Sequence, residues 1–194
     1  VRNANELLHL QGMQPQTRDE LQQWLLWWHT NGKHPSYDPA SSDVLEQHPN
    51  TWNTSKITDM SCLFSRAELY DFDEPIGNWD VSHVVDMSQM FSGHRAVSGT
   101  SGTSCPHAFN QDISRWDTSS VNNMSGMFFY AENFNQPLEE WDTASVTRMD
   151  SMFARASDFN QLLGKWDTSR VTTMDSMFER AANFNHPLGK WDTS

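Results

Sequence analysis

Apolar residues recur at helical spacing in one half of a stretch that repeats along the chain. Val146, Met149 and Met152 follow one another at intervals of three, and Phe153 and Ala156 continue the same face. Such spacing places side chains on one side of an α-helix. Short polar residues precede the first of them and can cap its N–H groups. The pattern predicts a helix of about three turns.

The other half of the stretch alternates as a strand does. Leu138, Trp141 and Thr143 have the L-x-x-L-x-L spacing of the strand in a leucine-rich repeat. Because successive strand side chains point to opposite faces, we expect Trp141 and Thr143 to point inward and Glu140 and Asp142 outward. One stretch thus predicts a short strand followed by a short helix.

This stretch repeats with a fixed period. Its Trp recurs every 25 residues in the later copies and at wider spacing upstream, at Trp52, Trp79, Trp116, Trp141, Trp166 and Trp191. A period of this length indicates one supersecondary unit stacked on copies of itself. We therefore predict an α/β repeat solenoid of right-handed, leucine-rich-repeat-like coils, each with a short parallel strand and a short helix. Residues 44–194 form five full units and a partial sixth, with a Gly-, Ser- and Thr-rich loop insertion at 93–105.

Residues 1–43 do not fit the repeat and are predicted to be an N-terminal helical cap. Thr17 and Glu20 have the spacing of a capping box, which predicts a helix over residues 18–30. Its apolar stripe consists of Leu21, Trp24, Leu25 and Trp28. Terminal repeats need such a cover for their apolar face. The alternative is a membrane-interface or partner-binding helix, because Trp24, Trp27 and Trp28 cluster there.

One Asn position also recurs, at Asn110, Asn135, Asn160 and Asn185. A buried Asn can bond the backbone of a neighbouring coil where no sheet ladder does so. We therefore expect these residues to be structural rather than ligands.

Charge and motifs narrow the function classes. The net charge of −12 disfavours nucleic acid, since no basic stripe is present to neutralise phosphates. No apolar run approaches the ~20 residues of a membrane-spanning helix. The eight His are scattered, and no nucleophile elbow, phosphate loop or zinc spacing is present. We expect no enzyme, no cofactor and no metal site.

The outward face of the predicted strands is the candidate interaction surface. Its carboxylates are Asp80, Asp117, Asp142, Asp167 and Asp192. Two residues before each Asp stand Asn78, Arg115, Glu140, Lys165 and Lys190, of which three are cations. The column can be a track for Ca²⁺ or a polar ligand. Alternatively, the carboxylates turn back and cap backbone N–H groups. The cluster of Trp24, Trp27 and Trp28 is a second candidate surface.

Three further features leave alternatives open. Cys105 at the end of the insertion can reach Cys62, so a disulfide between them is a candidate with no preference either way. Asn53 and Asn123 begin glycosylation sequons, but both lie at repeat consensus positions and can be accidental.

The consensus F-N-x-P-L-x-x-W-D-T-S-x-V-T-x-M-x-x-M-F-x-x-A resembles the bacterial surface protein repeat family over residues 49–194. That family occurs in mycoplasma lipoproteins, in surface proteins of lactobacilli and listeria, and in microalgae. The resemblance implies a surface or adhesion protein and supplies no catalytic residues. The chain departs from the pattern at its insertion and at Asn53, which replaces the first Asp.

These observations lead to a non-enzymatic, surface-exposed or secreted module for protein or glycan recognition. The alternative is an accessory scaffold subunit of a larger assembly, such as a membrane-associated complex in an algal organelle lumen. The sixth unit stops after its strand, so we expect further repeats or another chain to cover that end.

Overall fold

Helix α1, Arg18–Asn31, is the one α-helix of the computed structural model, which describes residues 14–31, 48–94, 104–189 and 191. It begins at the predicted residue. The Thr17 hydroxyl accepts from the Glu20 amide at 3.2 Å, as the capping box requires. The Glu20 carboxylate accepts from the amide of Gln16, at 2.8 Å, one residue before the expected donor.

The helix covers the first repeat. Leu21, Trp24, Leu25 and Trp28 are all buried. The Trp24 ring stands edge-on to Trp52, with ring centroids 5.7 Å apart. The buried stripe of α1 therefore packs against the first repeat. No helix in the described ranges has the length and apolarity to cross a bilayer.

The predicted α/β solenoid with leucine-rich-repeat-like coils is wrong. The described residues contain no named strand and no sheet, and besides α1 they contain only two short 3₁₀ turns, Pro49–Thr51 and Ala67–Leu69. The segments predicted to be strands, such as residues 138–143, form no bridges. The isolated parallel bridges that join one unit to the next lie seven residues after each Trp, at the start of the predicted helices. These pair Asp59 with Asp86, Asp86 with Asn123, Asn123 with Arg148, and Arg148 with Thr173.

The predicted short helix of each unit is a chain of tight turns. The amides of Met152, Ala154 and Ala156 reach back only three residues, at 3.1–3.2 Å, whereas an α-helix needs four. The residues between them donate to the next unit instead. Ser151 and Arg155 have φ of 54° and 63°, in the left-handed region that interrupts an α-helix.

The left-handed residue at the Ser151 position holds the same place in every unit. It is Cys62, Gln89, Gly126, Ser151 and Ser176, with φ between 54° and 61°. Only one of the five is Gly, although a side chain makes this conformation costly by roughly 1 kcal/mol. The bonds between units hold the backbone in place against that cost.

We number the units from their Trp, so that units 1 to 5 begin at Trp52, Trp79, Trp116, Trp141 and Trp166. Two columns of stacked Phe rings run through their core. In unit 4 the Phe153 and Phe159 centroids are 4.0 Å apart, and Phe153 stacks at 5.6 Å on Phe128 and on Phe178. Each unit thus extends the same buried columns.

The Trp and Thr side chains point inward as predicted. Trp141 and Thr143 are 3% and 2% exposed, and each bonds another unit. The Trp141 indole donates at 3.1 Å to the carbonyl of Ile113, at the end of unit 2. The Thr143 hydroxyl donates to the Asp167 carbonyl of the following unit at 2.9 Å.

The recurrent Asn side chains bond the adjacent unit, as expected. The side-chain oxygen of Asn135 accepts from the Asn160 amide at 2.9 Å. Gln161 adds a bond that was not anticipated, to the Asn135 carbonyl at 3.0 Å. The expectation that these Asn are buried is wrong, because Asn135 is half-buried and Asn160 is exposed.

Candidate functional site

The exposed positions on either side of each buried Trp form one face, which we call the outward strip. It consists of Asn78, Asp80, Arg115, Asp117, Glu140, Asp142, Lys165 and Asp167, all of which are exposed. The predicted alternation is confirmed here, since the Trp between each pair is buried. Lys190 and Asp192, predicted to extend the strip, lie outside the described residues.

The strip carboxylates are held by their own turns. Asp80 accepts from the Ser82 amide at 3.1 Å and from its hydroxyl at 2.6 Å. Asp117 bonds Ser119 in the same way and at the same distances. In the later units, Asp142 accepts from the backbone amide two residues ahead at 3.0 Å. The capping alternative is therefore what the structure contains.

These bonds keep the carboxylates ionised. The Ser82 hydroxyl and amide hold the pKa of Asp80 below its usual value, and Ser119 does the same for the pKa of Asp117. A hydrogen bond to the charged form is what lowers the pKa in both cases. Asp80 and Asp117 are thus fixed negative charges of the strip at neutral pH.

Both cations of the strip interact with nearby carboxylates, and Lys165 bonds one of them directly. The Lys165 ammonium bonds Glu140 of the preceding unit and lies 3.8 Å from Glu139. The hydrogen bond to Glu140 raises the pKa of Lys165. The charge of Arg115 contributes to the lowered pKa of Asp112, after the bonds that Asp112 accepts from Ser114. The strip therefore carries charges of both signs.

The Ca²⁺ alternative gains no support from the geometry. The described ranges contain no group of three or more His, Cys, Asp or Glu side chains placed to hold a metal ion. A calcium ion takes six to eight oxygen ligands. Each Asp of the strip already uses one carboxylate oxygen to accept a hydrogen bond from its own turn.

The second candidate surface is mostly core. Trp24 and Trp28 are each 3% exposed, so neither is available to a partner. Trp27 is half-buried and packs against the core cluster. An aromatic patch of three Trp does not form on α1.

The family described as "Mycoplasma protein of unknown function, DUF285" matches residues 37–100 and 101–194. The chain belongs to the DUF285 family. The mycoplasma part of the predicted resemblance is thereby confirmed, and the wider relation to bacterial surface proteins stays a prediction. No curated protein and no solved structure matches the chain.

The two DUF285 matches meet inside the insertion, whose ends are pinned together. His94 and Cys105 form an antiparallel bridge, with N–H···O bonds of 2.8 and 2.7 Å. Gly93 is required beside them, because a Cβ there would stand 2.7–2.9 Å from backbone atoms of Tyr130, Cys105 and His107. Residues 95–103 lie outside the described ranges.

The structure bears on the disulfide and on the two glycosylation sequons that the sequence left open. Cys62 and Cys105 are not joined by a disulfide, and the Cys62 thiol lies 3.9 Å from the Gln89 side-chain oxygen. Asn53 is exposed, whereas the Asn123 side chain is half-buried and donates to Asp86 at 3.0 Å. Of the two sequons, only that of Asn53 has an exposed Asn.

One titratable core residue was not identified from the sequence. His107 is fully buried, and the rings of Phe64 and Phe91 stand edge-on to it at 6.2 and 5.8 Å. Its Nδ1 accepts from the Phe109 amide at 3.2 Å, and no described residue bonds its Nε2. Burial lowers the pKa of His107 to about 4. His107 lies next to the insertion, and nothing in the sequence there indicates that it is buried.

Proposed function

We propose that this DUF285 chain is a non-enzymatic recognition module that binds a protein or glycan through its outward strip. The module belongs on a cell surface or outside the cell. The same proposal includes the finer family relation, to the bacterial surface protein repeats. It extends the resemblance carried by the F-N-x-P-L-x-x-W-D-T-S consensus.

The observation that supports the proposal is a contrast between constant and variable positions. The buried Trp and the cap-forming Asp recur in units 2 to 5. The exposed residue directly before each of these Trp residues, in contrast, changes its charge from unit to unit. It is Asn78, Arg115, Glu140 and Lys165. A repeat protein with a fixed core and a variable exposed face can present a specific surface without altering its fold.

The fixed side chains add to this argument. Each strip Asp is held by its own turn, so little side-chain entropy remains to be lost when a partner binds. Charges of both signs on a rigid face favour electrostatic complementarity, which gives specificity and a fast association rate.

The test is binding of the intact chain to a glycan array and to immobilised matrix proteins. The strip variant changes Asn78, Arg115, Glu140 and Lys165 to Ala. The control variant changes Asn133 and Asp158 to Ala, because both are exposed and lie away from the strip. We expect the strip variant to lose at least about tenfold in affinity, and the control to bind as the intact chain does.

Equal affinity of the two variants for every ligand bound by the intact chain would refute a strip-based function. A second outcome would also refute it. If raising the salt concentration from about 0.05 to 0.5 M abolishes binding of the intact chain and of the control alike, the binding is non-specific charge attraction, because salt at these ionic strengths screens the attraction between exposed charges.

A further inference from the structure

Unit 1 departs from the other units at one exposed position of its turn. Asn53 stands directly after Trp52, where units 2 to 5 have an Asp. The Asn53 side-chain oxygen accepts from the Ser55 amide at 3.1 Å, which is the bond that Asp80 accepts from the Ser82 amide at the same distance. The change from Asp to Asn therefore keeps the turn of this unit and adds only an amide nitrogen.

The added nitrogen is available for chemistry. Asn53 is exposed, and no described residue bonds its Nδ2. Thr54, the next residue, is buried, and its hydroxyl donates to the Asp80 carbonyl of unit 2 at 2.9 Å. An exposed and unbonded amide nitrogen thus stands on a turn that the neighbouring unit holds in place.

The same turn completes a glycosylation sequon. Asn53, Thr54 and Ser55 have the Asn-x-Ser pattern, in which a carbohydrate is attached to the side-chain nitrogen of the Asn. Because the attached carbohydrate is bulky, it requires an Asn at the surface whose nitrogen the fold does not use. Asn53 meets both requirements.

The second sequon of the chain meets neither. Asn123 is half-buried, and its Nδ2 donates to the Asp86 carboxylate at 3.0 Å. Its backbone also forms parallel bridges with Asp86 of unit 2 and with Arg148 of unit 4. A carbohydrate on Asn123 would have to fit between units that are bonded to each other. The two sequons are therefore alike in sequence but differ in structure.

We propose that Asn53 is a site of N-linked glycosylation and that Asn123 is not. The co-substrate is an oligosaccharide joined to a lipid through a diphosphate. Asn53 Nδ2 forms a bond to the first carbon of the sugar, the bond from that carbon to the diphosphate oxygen breaks, and the lipid diphosphate leaves. Nδ2 gives up one proton to a base, and nothing is oxidised or reduced. The proposal rests on the proposed function, because the modification occurs on exported chains.

A glycan at this place also bears on the outward strip. Asn53 holds in unit 1 the position that the Asp residues of the strip hold in units 2 to 5. A bulky and soluble carbohydrate there covers the unit 1 end of the row. The length of the strip that stays open to a partner is then that of units 2 to 5, where the residue before each Trp varies.

The test is peptide mass mapping of the intact chain from two sources. One is the chain secreted by a eukaryotic cell behind an added leader peptide, and the other is the chain purified from its native cells. Each sample is mapped before and after treatment with an amidase that removes the sugar and converts the glycosylated Asn to Asp. We expect one glycan per folded chain, at Asn53, and an unmodified Asn123.

Other units of the chain supply the matched variants. N53D restores the Asp of units 2 to 5, and S55A introduces the Ala that unit 4 has at this position, where the Ala144 amide donates to Asp142 at 3.0 Å. Both variants should fold and lose the glycan. The control is S125A, which removes only the second sequon and should keep the glycan. Circular dichroism verifies that all three variants are folded.

An unmodified Asn53 in the secreted chain overturns the proposal, and so does a glycan on Asn123 of the folded chain or one that persists in S55A. A chain that is modified when secreted but unmodified in its native cells overturns the use of the site together with the surface location in the proposed function. Failure of the strip variant to lose affinity, with Asn53 modified, refutes the strip-based function alone.

Discussion

Gly77 and Gly164 hold the same position of the repeat, two residues before the Trp, yet the structure predicts opposite effects of changing them to Ala. A Cβ at Gly77 would stand 2.6 Å from the backbone oxygen of Asp112, whereas nothing lies within 4 Å of a Cβ at Gly164. The clash at Gly77 is with backbone, so the ends of units 1 and 2, where Gly77 and Asp112 lie, must separate to relieve it. Overpacking of this kind costs roughly 1–3 kcal/mol.

The Gly164→Ala variant should be stabilised instead. Its φ lies outside the left-handed region, and Ala restricts the unfolded chain by about 0.4–1 kcal/mol. We therefore expect the two variants to differ by about 2 kcal/mol in the free energy of unfolding. In thermal unfolding this is a separation of roughly 4–8 °C in Tm. Equal Tm values for the two variants would refute the assigned contact between Gly77 and Asp112.

Three further predictions concern the core and the turns. His107 is neutral in the folded protein but takes up a proton in the unfolded chain below pH 6.5. The free energy of unfolding should therefore fall by about 3 kcal/mol between pH 6.5 and 4. Denaturant titrations should show a weaker dependence of this free energy on pH for H107Q. T143V should lose about 1–3 kcal/mol in the free energy of unfolding, because the Asp167 carbonyl loses its donor. V81T should gain up to about 1 kcal/mol, because the new hydroxyl donates to the Asp117 carbonyl. Chemical denaturation that ranks the two variants in the opposite order contradicts this. S151G should raise Tm, because Gly removes the left-handed strain, and an unchanged or lower Tm counts against it.

The parts predicted correctly from the sequence rest on local signals. Helix α1 follows from a capping box and one apolar stripe, and Leu21, Trp24 and Leu25 occupy the buried face that the stripe gives. The inward Trp and the outward Asp of each unit follow from alternation alone. In both cases each residue's environment is decided by its immediate neighbours.

The incorrect parts depend on bonds between residues about 25 positions apart. The spacing of Met149, Met152 and Phe153 fits an α-helix, but successive tight turns bury the same residues. What decides between them is the partner of alternate amides such as that of Ser151, which donates to Asp175 in the next unit. Apolar periodicity carries no information on that partner.

The candidate site shows the same division. The exposure of Asp80 and Asp117 was predicted, and the predicted cap is formed by the bonds that they accept from Ser82 and Ser119, two residues ahead. The role of Gln22 could not be foreseen, because its side-chain amide donates to the carbonyls of Leu63 and Cys62, which are 40 or more residues away in the sequence.

The bridge between His94 and Cys105 has a consequence for engineering. Because His94 and Cys105 are paired, the chain leaves and re-enters the stack of units at one point. The contacts between units therefore do not fix how many residues lie between His94 and Cys105. Added length there costs only the slowly growing entropy of closing a longer loop, about 0.6 kcal/mol for each doubling. The insertion is therefore the natural graft point for a foreign peptide or a small domain, displayed from a frame whose repeats need not change.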